Sequence, residues 1–197
     1  MLFPEGKEFL IPTVAVTGTN GKTTTTRLIS HILTVAGHQV GMASTDTVSV
    51  DDVPILKGDY SGPDGAKAVM RDSQVEYAVL EVARGGIIRR GLGFDSCDVA
   101  VLLNVTSDHL GLGGIDTLEE LLRVKATIFD ALGEDDFGVL NADDPLVLSE
   151  LEKLHANPIL FSKNANHPAL LENLEKGHCN VTVFDETIIL QKPAGVV

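Results

Sequence analysis

The sequence predicts an α/β domain: a mostly parallel sheet with helices on both faces, followed by a small C-terminal β-hairpin. Three observations carry that expectation. Short apolar, β-branched runs alternate with stretches of helical period along most of the chain. One run, residues 99–105 (VAVLLNV), is almost continuously apolar, as a strand covered on both faces has to be. The last two runs, 181–184 and 187–190, alternate in polarity about Asp185-Glu186, the pattern of a hairpin.

Taken in order, Thr13–Thr17 (TVAVT) reads as a strand. A Gly-rich turn leads into a helix over 22–36, closed by Gly37, because a glycine just past a helix end is a common stop signal. Residues 40–44 read as a second strand, and 48–56 as an irregular segment or small hairpin with Asp51-Asp52 at its turn. Ser61-Gly62-Pro63 breaks the chain before a helix over 64–71. Strands are expected at Tyr77–Glu81 and 99–105. A helix over 117–130 starts with Thr117 and, three residues on, Glu120, the form of a capping box. A strand at Phe137–Asn141, a helix over 145–154 and a strand at 158–162 complete the alternation.

The chain has 197 residues, enough for one domain of ordinary size or slightly more, and its 44% hydrophobic and 22% charged residues are normal for a soluble globular protein. No apolar run is long enough to span a membrane, and residues 1–7 lack the basic-then-apolar pattern of a signal peptide, so a cytoplasmic protein without a membrane partner is expected. A net charge of −13 repels a phosphate backbone, which argues against nucleic acid as a partner. It does not exclude nucleotides, because a nest of backbone N–H groups holds phosphate locally. Cys97 and Cys179 are far apart without metal-ligand spacing and read as reduced thiols, with a single disulfide left open.

Four features carry chemistry. Gly18-Thr19-Asn20-Gly21-Lys22-Thr23-Thr24 lies between a strand and a helix, the context of a P-loop. Its glycines let N–H groups turn toward phosphate, Lys22 is placed to reach the β and γ phosphates, and the Thr23 hydroxyl to bind Mg²⁺. The first glycine of the standard string would fall at Val16, so the loop is shortened; the bland alternative is a Gly-rich turn before a helix. Glu81 ends an apolar strand at the edge where α/β sheets bind ligands, and is either a Mg²⁺ ligand or an ordinary solvated strand end. Asn104, with Asp108-His109, is carried by the most apolar strand, which should lie centrally; His109 follows its carboxyl end and is a metal or phosphate ligand, or structural. Lys125 falls on the apolar face of its helix, where periodicity alone favours snorkelling from the edge over a lysine aimed at the site.

Together these residues resemble the central, ATP-binding domain of the Mur ligase family, which also includes folylpolyglutamate synthetase. The family's P-loop is similar to GTNGKTT at 18–24, which accounts for Val16. The resemblance implies ATP and Mg²⁺ as cofactors, Glu81 as metal ligand, His109 as ligand of a second metal through an N-x-x-x-D-H pattern starting at Asn104, and Lys125 as the family's lysine, carbamylated in several members. It further implies that the stretch 141–145 (NADDP) contacts adenine, with Asn141 foremost.

Within the family, residues 81–87 (EVARGGI), 91–95 (GLGFD) and 108–113 (DHLGLG) are similar to the Mur-like part of cyanophycin synthetases, and the resemblance covers about residues 11–190. It implies that residues 1–197 form one Mur ligase central domain of a longer enzyme, whose ATP-grasp and Mur C-terminal domains lie outside them. The implied activity is ATP-dependent amide-bond formation with amino-acid or peptide substrates: a carboxylate is activated as an acyl phosphate and attacked by an amine, arginine being added to aspartate side chains. Thr45-Asp46 and Ser61-Gly62-Pro63 follow strands near the same edge and are candidates for touching the acceptor. A homo-oligomer is compatible with this reading. Two alternatives stay open: another P-loop kinase or NTPase, and a non-catalytic nucleotide-binding fragment.

Overall fold

The computed structural model describes residues 11–107, 111 and 114–193. Its strands are β1 (Thr13–Thr17), β2 (Val40–Ala43), β3 (Thr47–Val50), β4 (Val53–Lys57), β5 (Tyr77–Glu81), β6 (Val99–Leu102), β7 (Phe137–Asn141), β8 (Asn157–Ser162), β9 (Asn180–Phe184) and β10 (Thr187–Gln191). Its helices are α1 (Lys22–Val35), α2 (Pro63–Met70), α3 (Arg84–Arg90), α4 (Leu118–Ala126), α5 (Pro145–Leu148) and α6 (Pro168–Glu175).

All ten strands join one sheet in the order β10-β9-β8-β7-β6-β1-β5-β2-β3-β4. The pairings from β2 through β9 across the middle are parallel, and only β2–β3, β3–β4 and β9–β10 are antiparallel. The crossover helices leave no water for the inner strands: β2 is buried throughout, and β1, β5 and β6 at all but one residue each. β1 is central, flanked by β5 and β6, with Val16 opposite Glu81 and Thr17 opposite Leu102. That register brings the carboxyl ends of three neighbouring strands to one edge.

Two of the hairpins, β3–β4 and β9–β10, turn on consecutive residues with positive φ, Asp51 and Asp52 (49° and 61°) and Asp185 and Glu186 (47° and 59°). Such turns match the twist of the strands they join, which settles residues 48–56 as a hairpin. Three clusters form the core. Leu102, Leu121, Leu140, Leu160 and Leu170 anchor one, Ala43, Val48, Val69 and Leu80 a second, and Ala15, Cys97, Ala100 and Ile128 a third.

Several elements are shorter than expected. The central apolar run is a strand only over Val99–Leu102, and the helix expected over 117–130 ends at Ala126 and tightens into a 3₁₀ turn, Thr127–Ala131. Its start has the capping box: Thr117 accepts from the Glu120 N–H, and the Glu120 carboxylate accepts from the Thr117 N–H. The helix expected over 145–154 is α5 followed by a 3₁₀ turn at Leu151–Lys153. Helices α3 and α6 were not anticipated. α3 begins with Arg84-Gly85-Gly86 and buries no residue, so it lacks an apolar period; α6 buries only Leu170 and Asn173.

Candidate functional site

The β1–α1 loop is built on glycine where nothing else fits. Gly18 has φ 155°, and a Cβ there would lie 2.9 Å from Leu103 Cβ; Gly21, which caps α1, has φ 84°. The loop is fastened by Asn104. Its Oδ1 accepts from the N–H groups of Thr19 (3.1 Å) and Asn20 (2.8 Å), and its Nδ2 donates to Asn20 O (3.0 Å). The Thr19 N–H also donates to Asn104 O (2.9 Å), and the Thr106 N–H donates to the Thr19 hydroxyl (3.0 Å). Thr19 and Asn20 therefore face the neighbouring strand end. The helical ladder begins with the Thr25 N–H donating to Gly21 O, so the N–H groups of the first turn, Lys22, Thr23 and Thr24, are the outward-facing donors with the positive end of the helix dipole behind them. Lys22 Nζ folds back onto Thr19 O at 2.8 Å, over the loop.

Glu81 is not a solvated strand end. It is 2% exposed. Its Oε2 accepts from the Thr23 hydroxyl (2.9 Å) and the Thr45 N–H (3.0 Å), and its Oε1 from the Thr45 hydroxyl (2.7 Å). These bonds answer the cost of burying a carboxylate. Of the two residues that were candidates for touching the acceptor, Thr45 is turned onto Glu81 and Asp46 pairs with Arg27 at 2.7 Å.

The donor set fits Mg²⁺. Octahedral Mg²⁺ with ligands at about 2.0–2.1 Å has neighbouring oxygens about 2.9 Å apart, and Thr23 Oγ1 and Glu81 Oε2 stand 2.9 Å apart. Mg²⁺ characteristically takes only one or two carboxylates and completes its shell with phosphate and water.

Lys125 does not snorkel. It is 3% exposed, and Nζ donates to Gly18 O at 2.6 Å, so α4 is tied to the start of the β1–α1 loop. Periodicity located the apolar face correctly but could not reveal that the loop's own carbonyl lies on it.

The matching family model is the Mur ligase middle domain, aligned over residues 16–193. The chain belongs to the Mur ligase family. It is 53% identical over 164 residues to a cyanophycin synthetase from Synechocystis sp. and 34% identical over 154 residues to a UDP-N-acetylmuramoyl-L-alanyl-D-glutamate–2,6-diaminopimelate ligase from Parabacteroides distasonis. Those alignments cover 83% and 76% of this chain but 19% and 31% of the relatives, so the chain spans about a fifth of the length of the cyanophycin synthetases it matches. Among solved structures, a diaminopimelate ligase matches with TM-score 0.66 at 23% identity, covering 89% of this chain and 35% of the other. Escherichia coli FolC in complex with DHPP and ADP matches with TM-score 0.63 at 21% identity, covering 92% and 46%. At those identities the structures speak for the fold.

In this Mur ligase middle domain the remaining candidates are distributed as follows. Asn141 ends β7; its Nδ2 donates to Leu103 O (2.8 Å) and its Oδ1 accepts from the Asp143 N–H (3.0 Å), so its amide ties the end of β7 to the segment leaving β6. Asp144, not singled out in the sequence, accepts from Val105 N–H (2.8 Å) and caps α5. For Asp143, partial burial works against ionisation, but the Lys163 N–H, the Ser162 hydroxyl and the nearby His167 and Lys163 outweigh it and hold the carboxyl below its usual range. Ser61, Gly62 and Pro63 sit beside α3, where Ala83 N–H donates to Ser61 O (2.8 Å). His109, with Asp108, lies outside the described residues. No helix among the described residues is long and apolar enough to cross a membrane.

Proposed function

We propose that this chain is the ATP-binding domain of an ATP-dependent carboxylate–amine ligase of the cyanophycin synthetase kind. The observation that carries the reading is the convergence of three groups at the ends of β1 and β5: an open helix start, the Lys22 cation, and the buried Glu81 carboxylate 2.9 Å from the Thr23 hydroxyl. Identity of 53% to a cyanophycin synthetase supports the narrower assignment, arginine joined through its α-amine to an aspartate side-chain carboxylate.

In this reading a substrate carboxylate oxygen attacks the γ-phosphorus of ATP and ADP leaves. The amine then attacks the acyl carbon, and phosphate leaves as the amide forms. The problem is to bring two anions together, so the residues mainly position and neutralise charge. The N–H groups of Lys22, Thr23 and Thr24 hold phosphate oxygens, and Lys22 Nζ moves from Thr19 O onto the β and γ phosphates. Asn104 and Lys125 keep the loop in shape from below. Thr23 and Glu81 hold Mg²⁺, which when bound supplies charge neutralisation between phosphate and carboxylate. His109 belongs to the proposal as a second metal ligand, and Asn141 as the residue beside adenine. Lys125 is proposed to be carbamylated, since a carbamate would keep one N–H for Gly18 O and turn a buried cation into an anion able to help hold a metal. The domain is proposed to work within a longer polypeptide whose other domains complete the substrate sites, in the cytoplasm.

Calorimetric titration of ATP–Mg²⁺ into the parent and a Lys22→Ala variant tests the phosphate site: binding by the parent and its loss in the variant are expected. A folded parent that binds no ATP would sink the reading. Phosphate release that requires both an aspartate-bearing acceptor and arginine separates a ligase from an NTPase, which releases phosphate with neither. Binding without release under any condition would favour a non-catalytic module.

A further inference from the structure

The sheet ends in two outer strands, β4 and β10, and their edges are not alike. β4 carries Pro54 and Lys57, and its register against β3 slips at Val48/Ser49. Proline, lysine and a bulge are the devices by which proteins stop another strand from adding to an edge. β10 (TIILQ) has none of them: it holds no proline and no charge, and its register with β9 is unbroken. Its Ile188 is 76% exposed and its Leu190 56%, and Val183, opposite Ile188 on β9, is exposed as well.

The alternation of bonds in the hairpin determines which backbone groups are left over. The two-residue turn at Asp185-Glu186 makes Phe184 and Thr187 a hydrogen-bonded pair, so Ile189 and Gln191 also face β9. The N–H and C=O groups of Ile188 and Leu190 therefore point away from the sheet. A second β10 can meet them antiparallel, in two-fold symmetry. With the axis at Ile189, Ile188 stands opposite the partner's Leu190, and each such pair exchanges N–H···O bonds in both directions. The same register sets Lys192 opposite the partner's Glu186. Both residues are exposed, and among the described residues neither makes an ion pair within the chain. An axis at Ile188 or Leu190 keeps backbone bonds but loses that match of charge. Elsewhere a net charge of −13 drives two copies apart, whereas from Asn180 to Gln191 the only charges are Asp185 and Glu186 at the turn.

We infer that β10 is a dimerisation edge: two copies of this chain pair their β10 strands antiparallel about Ile189 and join their sheets into one. The contact uses the same surface on both copies, and β4 is closed to addition, so assembly stops at the dimer. The two-fold axis runs the parallel strands of the two copies in opposite directions. Their phosphate loops, at the carboxyl end of β1, then lie on opposite margins of the joined sheet and stay open. The dimer is independent of the chemistry proposed for the phosphate site.

Sedimentation velocity of the 197-residue protein across the micromolar range tests this, beside Leu190→Pro, Lys192→Glu and the double variant Glu186→Lys with Lys192→Glu. Hydrogen exchange at single amides is read in parallel. The parent should be a concentration-dependent dimer. Its Ile188 and Leu190 amides should exchange more slowly as concentration rises, while the Ile189 amide, bonded to β9, stays protected throughout. Leu190→Pro removes an outward N–H and no bond to β9, and should be a folded monomer with the parent's affinity for ATP. Lys192→Glu sets acid against acid twice and should weaken the dimer about tenfold; the double variant restores opposite charges and should recover the parent's dimer affinity. A parent that stays monomeric into the hundreds of micromolar overturns the inference, as does a dimer that a folded Leu190→Pro leaves intact, or open-ended association in place of a dimer. If Leu190→Pro does not fold, the charge variants decide, since Glu186 and Lys192 lie outside the strands. Lys192→Glu that dimerises as the parent does, or a double variant that recovers nothing, then removes the β10 pairing.

Discussion

Thr45→Val removes one hydroxyl and almost no volume, and its consequence can be worked from the geometry. The valine leaves Glu81 Oε1 without the donor now 2.7 Å away, while Oε2 keeps the Thr23 hydroxyl and the Thr45 N–H. A hydrogen bond to a charged group is worth about 1.5–3 kcal/mol. Glu81 is 2% exposed, which argues for the full loss, but Thr45 itself is exposed and water can approach from its side, so the lower half, about 1.5–2 kcal/mol, applies. For a domain of this size that is a fall in Tm of about 3–8 °C. A divalent cation beside the carboxylate offsets the missing donor, so the gap between variant and parent should narrow at saturating Mg²⁺–ATP. Thr45→Ser keeps the hydroxyl and should melt with the parent. Thermal melts of the three proteins, with and without Mg²⁺–ATP, make the measurement. A Thr45→Val protein that melts within about 1 °C of the parent without Mg²⁺ refutes the role given to Thr45, and a gap unchanged by Mg²⁺–ATP refutes the placement of the cation at Glu81.

Gly18→Ala should abolish ATP binding and destabilise by more than about 2 kcal/mol, because the new Cβ meets Leu103 Cβ at 2.9 Å on a backbone with φ 155°; calorimetry and urea melts read both. Cys97 is buried, and burial together with Asp136 and Asp98 pushes its thiol up to about 12, so iodoacetamide at pH 8 should label Cys179 alone in the native protein and both cysteines after unfolding, counted by mass spectrometry. Asp143 titrates below its ordinary value of 3.8 in the folded protein, so its contribution to stability is present above that value and is lost as the pH falls below it; Asp143→Asn should flatten the acid limb of a stability–pH profile below about pH 4. A carbamate at Lys125 should give a ¹³C signal from the protein in labelled bicarbonate that is absent from Lys125→Met, and its absence in the parent would leave Lys125 a cationic brace.

What the sequence disclosed and what it hid divide along contact distance. β1, β5 and β7 were legible because each is a short apolar run between turn signals, and the phosphate loop because its residues are adjacent. α3 was illegible because two glycines interrupt it and none of its residues is buried, so no periodicity records it. The bond from Thr45 to Glu81 was illegible because the two lie 36 residues apart, and nothing about a threonine after a strand tells which carboxylate it meets. For Lys125, helical spacing gave the face, while the carbonyl it serves belongs to a residue 107 positions earlier.

The same geometry gives the shortened phosphate loop a physical reason. Position 16, where the standard string has its first glycine, is an interior strand residue here: Val16 is fully buried and paired with both Glu81 and Val101. The loop therefore has only Gly18 to Gly21 in which to turn, too short a span to wrap a phosphate with its own N–H groups, and two of those, at Thr19 and Asn20, are engaged by Asn104. In the proposed reading, phosphate recognition falls to the first turn of α1, and the rigidity that a longer loop would build internally comes from outside it, from Asn104 and Lys125. On this argument Asn104→Ala should weaken ATP binding with the first-turn N–H groups intact. It should do so by loosening the loop, so that amide exchange at Thr19 and Asn20 accelerates in the absence of nucleotide. Unchanged exchange at those two amides would mean that the loop holds its shape without the brace.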